Sequence, residues 1–373
     1  MDYIKKLFSY NKLYECDESD HLFFNAMKQS IEFHSASCVD YKKILNIKHF
    51  EIDSLRSIED LHLIPPVPTM FYKGHQLMSV PQEKMIINST TSGTSGVPTK
   101  VGLDFKTCFF GAQMLRTTLS YHKLFSSIPT NYIVLGYQPS KHNNMGAVKT
   151  AFGATFLAPP LHREYALKDM GLDYELNIEG IKNKLLKYNN SAFPVRFVGF
   201  PSYMFFMMKM LKENNVKLNL SHRSKILLGG GWKQFYTETV DKYELYQMAD
   251  EVLGIKQENI KEFFAFVESN VLYCDCKNHH FHVPAYGRVI VRDPKTFEPL
   301  PNGEPGLLNL ISPLVNSMPL GSIMTDDIAV MYDGESCGCG IKSPYFEILG
   351  RAGMAEVKTC AAGANETLQA VSR

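Results

Sequence analysis

Along the middle of the chain, short apolar runs rich in β-forming side chains alternate with longer amphipathic stretches. Residues 131–136, 195–199, 225–228 and 263–267 read as strands, and residues 105–126, 177–190, 202–214 and 236–253 read as helices. Neighbouring parallel strands need a crossover, which is usually a helix. This order therefore predicts an α/β fold with parallel-rich sheets. The flanks differ. Residues 1–64 carry apolar positions at helical spacing, such as Leu22, Ala26, Ile31 and Phe33. Ile64-Pro65-Pro66-Val67-Pro68 stops that pattern and predicts an extended connector. From about residue 271 the runs shorten and turn residues crowd between them, which predicts a small β subdomain.

Composition narrows the class. Hydrophobic residues make up 45% of the 373 and charged residues 21%, so the chain packs rather than stays disordered. Lys+Arg number 39 against 38 Asp+Glu, a balance that gives no overall field for nucleic acid or an anionic membrane. The eight cysteines are too few for a disulfide scaffold. No apolar run is long enough to span a bilayer, and Met1-Asp2-Tyr3-Ile4-Lys5-Lys6 has no signal-peptide character. The expectation is a cytoplasmic protein with reduced thiols and no membrane span.

The most informative segment follows the strand candidate 84–88. It reads Ser89-Thr90-Thr91-Ser92-Gly93-Thr94-Ser95-Gly96-Val97-Pro98-Thr99-Lys100. Glycines let backbone N–H groups approach a ligand, and hydroxyls and a lysine add donors for phosphate oxygens. The pattern is not Walker A, because no Gly-Lys-Ser/Thr closes it. Thr91, Ser92, Gly93, Thr94, Ser95, Gly96 and Lys100 are the phosphate-binding candidates. Read on composition alone, the same segment is a surface loop.

Further segments stand in a telling order: Gly229-Gly230-Gly231-Trp232-Lys233, Phe264-Ala265-Phe266-Val267-Glu268, Thr325-Asp326-Asp327 and Leu349-Gly350-Arg351. With the loop, they resemble the hallmark segments of the adenylate-forming superfamily, the acyl- and aryl-CoA ligases and their relatives. One residue, Thr99, is inserted relative to the superfamily's loop. Only a short segment follows Arg351, so the superfamily's C-terminal domain is expected to be reduced to a tail carrying Lys358 and Cys360. In this the chain looks like the acyl-protein synthetases of bacterial luminescence.

The resemblance implies an adenylate-forming, acyl-CoA synthetase-like core over 1–270, a β-rich subdomain at 271–350 completing it, and a tail at 351–373. It implies ATP with Mg²⁺, a long-chain fatty acid activated as acyl-AMP, and transfer of the acyl group to Cys360 as a thioester. An acyl reductase subunit using NADPH would then make the aldehyde for bioluminescence, and an acyltransferase (thioesterase) subunit is a further expected partner. In residue terms it puts Glu268 on Mg²⁺, Gly230 and Gly231 near the adenine, Asp327 on the ribose, and Arg351 on the ribose or phosphate side. Lys358 would either lower the thiol pKa of Cys360 or replace the adenylation lysine of the missing domain. The main alternative keeps adenylation but hands the acyl group to coenzyme A or a carrier. A non-catalytic scaffold is the third reading, and the intact loop counts against it.

One cluster stands apart from this scheme. Cys274-x-Cys276 and Cys337-x-Cys339 flank His279, His280 and His282 on one side, a composition that suits structural zinc. The C-x-C spacing is less usual than C-x₂-C, and the preferred sequence reading is small buried cysteines on two adjacent turns.

Overall fold

In the computed structural model, residues 1–90, 99–171, 173–189, 191–230 and 240–351 are described. They form two compact units. One contains residues 123–264, and the other joins residues 1–90 and 99–122 to 265–351.

The first unit is a layered α/β sheet. Its strands run in the order Ile260–Phe264, Lys225–Gly229, Val195–Gly199, Thr130–Tyr137, Pro160–Asp169 and Tyr174–Leu176. All of these pairs are parallel except the last, where Leu167 faces Leu176 antiparallel. Strand residues such as Tyr132, Ile133, Val134 and Leu135 are all fully buried. Burial on both faces explains why the sequence there is continuously apolar rather than alternating. Helices Gly146–Ala154, Ile178–Tyr188, Pro201–Glu213 and Lys242–Leu253 belong to this unit. Pro201 opens its helix at the position where no N–H is needed. Tyr203, Met204, Met207, Met208 and Leu211 then form the core face, as the sequence spacing suggests. Gly254 ends the helix Lys242–Leu253 with φ +70°, a left-handed cap that favours glycine.

Here the strand expected at 263–267 is corrected. It runs Ile260–Phe264, because its register is set by the neighbouring strand: Ile226 faces Ile260 and Gly229 faces Phe263. The neighbour ends at Gly229, so the ladder ends there too, and Ala265–Glu268 leaves the sheet. Strands Pro160–Asp169 and Tyr174–Leu176 and the helix Gly146–Ala154 had no clear periodicity to announce them.

The second unit is helical at its N-terminal end and β-rich at its C-terminal end. Helices Tyr3–Phe8, Cys16–Ser37, Val39–Ile47 and Phe105–Tyr121 are followed or separated by short 3₁₀ turns and a hairpin, Met85–Thr90 with Lys100–Asp104. The antiparallel sheet runs Phe281–His282, Tyr345–Arg351, Ser322–Tyr332, Gly306–Ile311, Arg288–Arg292. Val67–Pro68, inside the proline-rich connector, adds a short parallel strand against Ile323 and Met324. Proline tolerates this place because it lies at an edge of the ladder.

In the long helix, Phe23, Ala26, Met27, Ser30, Ile31 and His34 are the buried face, and Leu22 and Phe33 lie only half-buried beside it. His34 is held by Ser79 (Nδ1 to Oγ, 2.7 Å) and by the Val315 carbonyl (Nε2 to O, 3.1 Å). Burial disfavours its charged form and lowers its pKa from 6.5 to about 4, despite the opposing pull of the Val315 carbonyl and Asp104. An unfolded chain therefore takes up this proton first as pH falls. The stability tied to neutral His34 is fully present above about 6.5 and is lost as pH drops towards 4. Such a shift is worth on the order of 3 kcal/mol. Urea unfolding between pH 7 and 4.5 should show this loss in the wild type and a clearly shallower loss in His34→Gln.

Candidate functional site

The hairpin Met85–Thr90/Lys100–Asp104 brackets the Ser/Thr/Gly segment, with Thr90 directly opposite Lys100. Thr91, Ser92, Gly93, Thr94, Ser95 and Gly96 lie outside the described residues, as do Gly231, Lys358 and Cys360. The base of the hairpin is firmly anchored. The Ser317 hydroxyl donates to the Gly102 carbonyl at 2.6 Å, and the Asn316 amide donates to Asp104 at 2.7 Å. Gly102 has no room for a side chain, since a Cβ there would meet Met85 Cγ at 2.8 Å. Asp104 also caps the helix Phe105–Tyr121 through the Thr107 N–H. Lys100 is exposed at the mouth of this anchored ribbon.

Glu268 lies deep in the same unit, only 3% exposed. Burial raises its pKa above the ordinary 4.5, while the nearby Thr99 hydroxyl and the charges of Lys73 and Arg351 pull the value partly back. Thr99 is fully buried. The residue that looks like an insertion in the loop is therefore the one that reaches Glu268. Lys73, on the helix Thr69–Gly74, is a second contributor the sequence reading missed. No local pattern marks either residue, because only the tertiary fold brings them near.

Asp327 and Arg351 sit opposite each other on adjacent antiparallel strands. Arg351 Nε donates to Asp327 Oδ1 at 3.0 Å, and Asp327 is 1% exposed. The Thr325 hydroxyl accepts from the Asp327 N–H at 3.1 Å and donates to the Leu308 carbonyl, which fixes the strand backbone before the acid. Removing one partner of a buried ion pair strands the other charge and typically costs about 3–5 kcal/mol. Glu268, Asp327 and Arg351 lie in one unit, with Asp327 and Arg351 engaging each other directly.

Gly230 belongs to the other unit, just past the C-terminal end of the parallel strand Lys225–Gly229. Its φ is +84°, and a Cβ would approach the Phe200 ring at 2.9 Å. Gly136, at the end of another strand, faces the same ring. Ligands of open α/β sheets bind at the carboxyl ends of parallel strands, and that is where this glycine lies.

The four-cysteine set needs correction. Cys276, His282, Cys337 and Cys339 cluster, with ligand atoms all within 4.8 Å of one another, and Cys274 is not among them. The Cys274 thiol faces the Asp275 carbonyl instead, at 3.7 Å. Cys276 stands in the turn that follows the strand, so i, i+2 spacing does not put the two side chains together.

These features define an adenylate-forming fold. Among solved structures the chain is similar to 2-hydroxyisobutyryl-CoA ligase in complex with 2-HIB-AMP and CoA, with a TM-score of 0.65 at 16% identity, covering 91% of this chain and 76% of that one. The same enzyme in the postadenylation state gives a TM-score of 0.66, with 92% and 70% covered. Within that fold the chain belongs to the acyl-protein synthetase (LuxE) family, whose model matches residues 7–369. The curated relatives that it matches are named as ligases. It is similar to the long-chain-fatty-acid–luciferin-component ligase of Vibrio harveyi, 23% identical over 95% of this chain and 90% of that protein. The ligase of the same name from Aliivibrio fischeri is 24% identical over 84% and 80%. Among the described residues no helix is long and apolar enough to cross a membrane.

Burying an ionised Glu268 has a cost that the fold bears. Ionisation is harder in the folded than in the unfolded chain, so the cost is absent below about pH 4.5 and fully present above the raised native value. Glu268→Gln should therefore raise the Tm at pH 7, by roughly 2–4 °C per kcal/mol relieved. The gain should vanish at pH 4, and ligase activity should fall sharply, as differential scanning calorimetry and an activity assay on the same samples would show.

Proposed function

We propose that this protein activates a long-chain fatty acid with ATP and then carries the acyl group on its own Cys360. The fatty acid carboxylate attacks the α-phosphorus of ATP. A P–O bond forms, the bond to pyrophosphate breaks, and acyl-AMP results. The protein need not form a covalent bond in this step. Its task is to hold phosphate charge and align the attack.

The observation that carries the reading is Glu268 buried beside Thr99. A carboxylate stripped of water gains from a cation that would replace the lost solvation, and the buried Thr99 beside it stands at the end of the Ser/Thr/Gly segment. Mg²⁺ is a hard ion that takes one or two carboxylates plus phosphate oxygens, and when bound it would neutralise the β- and γ-phosphate charge. Glu268 would hold it. Thr91, Ser92, Gly93, Thr94, Ser95, Gly96 and Lys100 would supply hydroxyl, N–H and ammonium donors to the phosphates. Asp327 would accept from ribose hydroxyls, with Arg351 fixing its carboxylate. Gly230 and Gly231 would leave space at the adenine.

In the second step the Cys360 thiolate attacks the acyl carbonyl carbon, the C–O bond to AMP breaks, and a thioester forms. Lys358, two residues away, would favour the thiolate. The acyl group then passes to an NADPH-dependent acyl reductase subunit. Support comes from the family match, which extends to residue 369 and so includes both residues, and from the names of the Vibrio and Aliivibrio relatives. A CoA-ligase reading has one observation in its favour: 24% identity to the phenylacetate-coenzyme A ligase of Thermus thermophilus, of which the match covers 62%.

Lys100→Ala should slow fatty-acid-dependent ATP–pyrophosphate exchange by about 10²-fold, the usual effect of losing one charge-stabilising group, with an unchanged Tm. Unaltered exchange would remove the loop from the mechanism. Incubation with ATP, Mg²⁺ and labelled long-chain fatty acid should give an adduct labile to neutral hydroxylamine. Cys360→Ser should abolish it while exchange continues. Exchange without any adduct in the wild type would move the acceptor to an external thiol, as the CoA-ligase reading requires.

A further inference from the structure

We infer that Cys276, His282, Cys337 and Cys339 form a closed Cys₃His site for a structural zinc ion. The four side chains come from two segments far apart in sequence, the turn and short strand at 276–282 and the loop at 337–339, and all lie in the β-rich part of one unit. Cys276, His282 and Cys337 are buried and Cys339 is half-buried. The sulfurs of Cys276 and Cys337 are 3.6 Å apart. A disulfide would need about 2.0 Å, whereas two thiolates on a tetrahedral zinc stand about 3.8 Å apart, given Zn–S bonds of about 2.3 Å. His282 Nε2 lies 3.2 Å from the Cys339 sulfur, so the imidazole closes the set from the other side.

The surroundings are those of a ligand set rather than of thiols that merely pack. His282 Nδ1 is 2.7 Å from the Ser343 carbonyl, which can only accept. Nδ1 therefore carries the proton, and the lone pair of Nε2 faces the sulfurs, as a metal-bound histidine requires. Two of the three sulfurs also have a backbone donor. The Asn278 N–H points at Cys276 (3.3 Å), the Ile341 N–H at Cys339 (3.4 Å), and His280 Nδ1 lies 3.2 Å from Cys337. Donors of this kind stabilise negative sulfur. Gly338 and Gly340 take φ +68° and +95°, which lets the loop curl so that both of its cysteines face one point. Tyr332 and Tyr345 wall the cluster, and the Asn278 amide bridges the two turns through the Cys337 carbonyl at 2.6 Å.

With four protein ligands no position remains for water or substrate, so the ion is structural. It clips the polar loop between strands Ser322–Tyr332 and Tyr345–Arg351 onto the turn before Phe281–His282. Those are the two strands that bear Asp327 and Arg351.

Elemental analysis of untagged protein, purified without chelator, should give about one zinc per chain. His282→Ala and Cys339→Ser should lose it, and Cys274→Ala should keep it. Replacement by Co²⁺ should give thiolate-to-cobalt charge-transfer absorption and the intense visible bands of a tetrahedral ion. The cobalt experiment needs only wild-type protein, so it decides the matter even if the variants fail to fold. Metal-free protein that takes up no Co²⁺ with those bands would overturn the site. So would full zinc in Cys339→Ser, zinc lost in Cys274→Ala, or a Cys276–Cys337 disulfide in freshly isolated protein.

Discussion

Within the β-rich unit, much depends on the pairing register of one strand, Ser322–Tyr332. It pairs with Val67–Pro68, Gly306–Ile311 and Tyr345–Arg351. In an antiparallel ladder a shift of one residue turns every side chain to the opposite face. The observed register sets Asp327 across from Arg351 and lets the ion pair form. An irregularity in the same ladder lies between Ile328 and Ala329, directly beside the acid. Bulges of this sort re-aim side chains next to functional sites. The buried Thr325 hydroxyl then holds the backbone before Asp327 in place.

A second theme is the concentration of charge where burial makes it costly. Glu268, Asp327 and the Arg351 partner are largely withdrawn from water in one unit. Apolar replacements at such positions would serve stability better. Their presence suits the proposed chemistry, in which a polyphosphate and a cation would each meet fixed opposite charge and a ribose would meet hydrogen-bond acceptors. The anchored hairpin beneath Lys100 follows the same logic. Ser317, Asn316 and Asp104 spend their hydrogen bonds on holding a ribbon whose exposed end carries the phosphate-binding candidates.

The zinc clip gives the sheet edge a means of support that apolar packing does not provide there. The loop Asp333-Gly334-Glu335-Ser336-Cys337-Gly338-Cys339-Gly340 is poor in apolar side chains and rich in glycine, so it has little to bury. A metal joining it to the 276–282 turn substitutes bond energy for missing core. The site stands at the start of the strand whose last residue is Arg351, so the clip and the Asp327–Arg351 pair hold opposite ends of one element.

Local pattern alone determined a good part of this protein. The parallel sheet was legible because strands buried on both faces must be continuously apolar, and the helix Pro201–Glu213 because its core face repeats every three or four residues. The Ser/Thr/Gly segment, Glu268, Asp327 and Arg351 could be proposed as site residues because, in that order, they resemble the hallmark segments of adenylate-forming enzymes. Tertiary structure decided what spacing cannot encode. It ended the strand Ile260–Phe264 where its neighbour ended, brought Thr99 and Lys73 to bear on Glu268, and set Asp327 against Arg351. It also exchanged Cys274 for His282 in the cysteine cluster. Periodicity reports which face of an element is buried, whereas these outcomes depend on which elements meet, and that is settled by ladder register and turn geometry across long separations in sequence.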